Sequence, residues 1–112
     1  MKAEEYKINE ALRKSGAHEI MKSEINRYSK NMNSYLENLA DVKRKMPNVL
    51  EFFYKSGIDS ANAMFSQYNN TAGTLAKYID TSGYVKNLRE RLENYVKEVR
   101  KYKPKSLVEA QK

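Results

Sequence analysis

Few side chains in this sequence have the type and spacing that catalysis needs. His18 is the single histidine, so a multi-histidine metal site is excluded, and an imidazole acid–base scheme would rest on one residue beside a helix start. It reads as a surface or capping residue. Glu90, Glu93 and Glu98 lie among Arg89, Arg91 and Lys97, with Arg89–Glu93 and Glu93–Lys97 four apart. That is the spacing of ordinary helix-surface ion pairs, not of a catalytic carboxylate couple. The absence of cysteine removes disulfides, thiolate zinc sites and thiol nucleophiles together. The glycines at 16, 57, 73 and 83 are isolated and form no loop that could cradle a phosphate. Asn69-Asn70-Thr71 matches the glycosylation acceptor pattern, which is common by chance and has no secretory signal beside it. The expectation is a protein that is not an enzyme and uses neither metal nor cofactor.

Binding chemistry is better represented. The net charge is +7, which favours an anionic partner: nucleic acid, an acidic protein or an anionic membrane surface. The charge is spread evenly over the two halves of the chain. Only Lys97, Arg100, Lys101, Lys103 and Lys105, set against Glu98, form a concentrated basic patch able to contact phosphates. Its ordinary reading is a solvated helix end, where cations suit the negative pole of the helix dipole. A second feature is the run from Ser60 to Ala76, 17 residues without a charge. Phe65 and Tyr68 stand in it as candidate partner-binding residues, because interface cores are poor in charge and rich in aromatics; burial against the first helix is the alternative. Phe52 and Tyr54 flank the in-register Phe53 and are expected to form an apolar docking tip beside a turn.

The elements that would position these residues follow from one pattern. Met21, Ile25, Tyr28, Met32, Tyr35, Leu39, Val42, Met46, Val49 and Phe53 alternate at spacings of four and three, a sustained heptad seam. Ala61, Phe65, Tyr68, Ala72, Leu75 and Ile79 answer it, followed by Val85, Leu88, Leu92, Tyr95, Val99 and Tyr102. The fold class is therefore all-α, an antiparallel helical hairpin or small bundle with coiled-coil-like packing. A short helix is expected over 3–14, closed by Ser15-Gly16. A long arm over 18–55 follows, kinked near Pro47 but nearly collinear across it because the register continues. Ser56-Gly57-Ile58-Asp59 supplies the reversal, with Gly57 in the left-handed closing position. The second arm covers 60–80 and 84–103, broken at Asp80-Thr81-Ser82-Gly83, and 104–112 is a short tail behind Pro104. Heptads leave open whether the seams pair within one chain or between chains.

At 112 residues one domain is expected, and no apolar run approaches the roughly 20 residues that cross a bilayer. The charged start is unlike a secretory signal, so the expected location is the cytoplasm, with export lacking a cleavable signal as the alternative. Two helical arms around a central aromatic-x-x-Gly turn, carried by Tyr54, Gly57 and Phe65, resemble the Trp-x-Gly helical-hairpin proteins of type VII secretion. The chain has no tryptophan, and Val99 stands four after Tyr95 where that family's export signal has an acidic residue. The resemblance implies a small secreted or co-secreted helical protein that pairs with itself or with a larger helical partner. The function expected overall is a helical protein–protein interaction module, a secretion-associated adaptor, chaperone or co-secreted partner, which binds a protein or oligomerises. A nucleic-acid-associated protein and a structural subunit of a phage or appendage assembly are the alternatives.

Overall fold

The computed structural model describes residues 2–104, with side chains from Asn9 onward. It is all-α. Helix α1 (Lys2–Lys45) is followed by a 3-10 turn (Pro47–Val49), α2 (Leu50–Leu75) and α3 (Ser82–Arg100). Each helix packs on the other two.

Ser15-Gly16 does not end a helix: α1 runs through it for 44 residues. One glycine in a helix interior costs about 1 kcal/mol, and a Glu10–Lys14 ion pair at 3.6 Å spans the approach to it. Ala17 and Met21, both buried, then anchor the helix to the core.

The chain reverses at Pro47, not at Gly57. A residue before proline is pushed out of helical geometry, and Met46 sits at φ −141° and ψ 59° with Pro47 opening the 3-10 turn. Met46 still donates its N–H to Val42 O at 2.7 Å, and Val49 donates back to Met46 O at 3.1 Å, which closes the turn tightly. Cross-helix bonds establish the antiparallel direction: the Tyr68 hydroxyl donates to Met21 O at 2.8 Å and Tyr35 to Phe53 O at 3.3 Å. The expected near-collinear passage through Pro47 is thus replaced by a hairpin. A heptad register is preserved either way, because both arms turn one face to the same axis.

Gly57 lies inside α2 with no positive φ. It is buried, and a Cβ there would meet Tyr35 Cε1 at 3.2 Å and Val99 Cγ1 at 3.3 Å. Its role is close approach of three helices, and its carbonyl accepts the Tyr95 hydroxyl at 3.2 Å. The break expected around Asp80 is a second reversal. Asp80 accepts from Ser82 N–H at 3.0 Å and Ser82 Oγ at 2.7 Å, while Thr81 Oγ1 donates to Ala72 O at 3.3 Å. These bonds hold the turn that starts α3. Hence α3 is antiparallel to α2 and parallel to α1, so Arg91 Nη1 reaches Ser29 Oγ at 2.8 Å.

The seams close on one another within the chain. Met21, Leu39, Tyr68, Leu88 and Val99 are fully buried at the bundle axis. Leu50, Gly57 and Met64 extend the buried face of α2 beyond its expected seam, since the middle helix of three must serve both neighbours. Residues 9–16 of α1 are all exposed, so this helix projects past its partners and the molecule is a rod of 77 × 21 × 16 Å.

Candidate protein-binding groove

On the face that α2 and α3 share, a groove of about 530 Å³ opens between Ala61, Asn62 and Phe65 of α2 and an α3 stripe from Arg89 to Arg100. That stripe is Arg89, Leu92, Glu93, Val96, Lys97 and Arg100, the three- and four-residue spacing that brings side chains onto one helical face. Leu92 belongs to the core seam, and Val96 lies one position beyond Tyr95 at the seam's margin. The floor is therefore apolar, made of Ala61, Phe65, Leu92 and Val96, and only half covered at Phe65 and Val96.

Charge is confined to the rim. The Arg89 guanidinium stands 5.6 Å from the Phe65 ring centre, a cation–π distance. Neither Arg89–Glu93 nor Glu93–Lys97 closes to an ion pair among the described residues. Arg89, Lys97 and Arg100 thus face the groove with Glu93 as the sole carboxylate in its lining. The arrangement has the composition of a binding surface, with an aromatic and aliphatic centre inside a charged border.

Comparison with known protein families, curated proteins and solved structures finds no match to this chain.

The residues singled out in the sequence separate in the fold. Phe65 lines the groove together with Lys97 and Arg100, which joins two features that stand well apart in the sequence. Tyr68 does not take part: it is fully buried, stacked edge-on against Tyr28 at 6.0 Å. Burial, and secondarily the nearby Glu24 carboxylate, pushes its hydroxyl well above the ordinary tyrosine range. Tyr68 is a core residue. Phe52 is 69% exposed, whereas Tyr54 is half buried against the core, so the expected Phe52–Tyr54 tip reduces to Phe52. Lys101 is occupied by Glu98 at 2.9 Å, Lys103 is exposed just after α3, and Lys105 lies outside the described residues. Within the charge-free run, Ala61, Met64, Tyr68, Ala72 and Leu75 are buried, while Asn62, Ser66, Asn69 and Gly73 form an exposed neutral strip.

His18 is exposed, and its Nδ1 shares a hydrogen bond of 2.7 Å with the Tyr84 hydroxyl, tying α1 to the start of α3. Among the described residues no group of three His, Cys, Asp or Glu side chains is placed to hold a metal ion, and no helix is long and apolar enough to cross a membrane. The sequence presents Arg89 only as a helix-surface ion-pair partner of Glu93 and does not single out Val96. The signal that could have found them is the i, i+3, i+4, i+7 recurrence of Arg89, Leu92, Glu93 and Val96 beside a half-filled seam.

Proposed function

We propose that this chain is a non-enzymatic interaction module whose α2/α3 groove receives an amphipathic helix of a partner protein. The observation that carries the proposal is the open Phe65–Leu92–Val96 floor rimmed by Arg89, Lys97 and Arg100. An apolar stripe on the incoming helix would cover the floor, and acidic residues flanking it would meet the rim, so charge selects the partner and apolar area supplies the affinity. Tyr54, Gly57 and Phe65, which carry the resemblance to the secretion-associated hairpins, stand on α2, past the reversal at Pro47.

A photo-crosslinking residue at Asn62, exposed at the groove edge, tests it. A defined protein should be crosslinked at Asn62 and should be lost in Phe65→Arg and in Lys97→Glu. Equal capture by a crosslinker on the far side of α1, at Lys30, would refute the assignment.

A further inference from the structure

We infer that the hairpin pole of the rod docks on the surface of an anionic lipid bilayer, with Met46 and Phe52 entering the interface. Because α1 and α3 run in parallel, their C-terminal ends meet at the pole where α1 turns into α2, and Lys43 Nζ stands 5.8 Å from the Tyr102 ring centre. The fold therefore gathers cations that the sequence scatters: Lys43, Arg44 and Lys45 from α1, Lys55 from α2, Lys101 and Lys103 from the end of α3. Carboxylates here are already matched, Asp41 by Arg44 at 2.7 Å, Glu51 by Lys55 at 3.3 Å and Glu98 by Lys101 at 2.9 Å. Lys43, Lys45 and Lys103 are outside any ion pair among the described residues. Two helix C-termini add partial negative charge at the same pole, and these three cations exceed it.

Apolar side chains at this pole stand in water. Met46 is 50% exposed in the turn and Phe52 is 69% exposed in the first turns of α2, with its ring edge-on to Phe53 at 5.5 Å. Exposed apolar side chains sharing one end of a molecule with lysines are the composition of interfacial membrane contacts, where the apolar groups sit at the headgroup boundary and the cations meet lipid phosphates. The shape favours a plane over a strand: these groups gather at one end of a rod with extents of 77 × 21 × 16 Å, whereas a nucleic acid is tracked by cations strung along a groove or flank. Charge complementarity thus points to an anionic headgroup surface, and Met46 and Phe52 would have no counterpart on a phosphate backbone.

The test uses the full chain carrying Phe52→Trp, since the sequence has no other tryptophan. With vesicles containing phosphatidylserine the emission should shift to the blue, and with pure phosphatidylcholine it should not. In co-sedimentation of the otherwise native chain, Lys45→Ala and Lys103→Ala should each lower partitioning about five-fold. Phe52→Ser should lower it about ten-fold. All of these sites are exposed, and unchanged circular dichroism would establish that the variants are folded. Absence of binding to either vesicle, binding indifferent to Phe52→Ser, or tighter binding to an oligonucleotide than to the vesicles would each overturn the inference.

Discussion

Substituting alanine for glycine at two places in α2 should shift stability in opposite directions. Intrinsic helix propensity favours alanine by about 0.5–1 kcal/mol at both sites. At Gly73 a new Cβ meets nothing within 4 Å, so Gly73→Ala should raise the melting temperature by about 3–6 °C. At Gly57 the Cβ would come to 3.2 Å from Tyr35 Cε1 and 3.3 Å from Val99 Cγ1. Val99 is fully buried, and a β-branched side chain in a helix has one strongly preferred χ1, so its methyl cannot swing aside. Relief requires movement of α3, which also stretches the Tyr95 hydroxyl bond to Gly57 O. Overpacking of this kind costs about 1–3 kcal/mol, which exceeds the propensity gain and leaves Gly57→Ala about 1 kcal/mol less stable, or about 4–8 °C lower in melting temperature. Thermal unfolding followed by far-UV circular dichroism reads both variants. In a Val99→Ala background the penalty at residue 57 should shrink, giving a coupling energy of about 0.5 kcal/mol or more. A melting temperature raised by Gly57→Ala as much as by Gly73→Ala would refute the three-helix contact.

Other outcomes follow from the same geometry. Tyr95 is buried beside Tyr35, and burial pushes its hydroxyl up to about 12; the unfolded chain releases that proton from about pH 10. Its contribution is whole below pH 10 and declines as pH rises toward 12, on the order of 2 kcal/mol; Tyr95→Phe should flatten the decline in melting temperature over that range. Leu88→Ala, at a fully buried position, should cost about 2–5 kcal/mol in denaturant unfolding. Hydrogen bonds from Ser82 hold the Asp80 carboxyl below its ordinary value, so their stabilisation is present above about pH 4 and lost as the carboxylate protonates. Asp80→Ala should lower the melting temperature at neutral pH, and by progressively less as the pH is taken down from about 4 through the carboxyl's lowered folded value. Lys97→Glu should leave the melting temperature within the scatter of surface substitutions, about 0.5 kcal/mol, while abolishing capture of the groove's partner.

The all-α class and the three seams were legible in the sequence, save Met46, which the heptads place in the first seam and the pre-proline turn leaves half exposed. Met21, Leu39, Tyr68, Leu88 and Val99 are the core in the register that the heptads give, since a helix placed against any neighbour must bury its apolar stripe. The break at Asp80–Gly83 was likewise legible, because the capping chemistry of Asp80 and Ser82 is local. The direction of the chain at each break was not. A heptad register is blind to reversal, so Pro47 read as a kink and Gly57 as a turn, although the pre-proline geometry of Met46 turns the chain and Gly57 serves packing. The reversals at Pro47 and at Asp80 together make α3 parallel to α1 and join the basic end of α1 to that of α3, and the second of them sets Phe65 beside Arg89, Lys97 and Arg100. Local residue types determined the helices and their buried faces; which side chains became neighbours was decided by the third helix, because contacts between elements depend on the order and direction in which they pack.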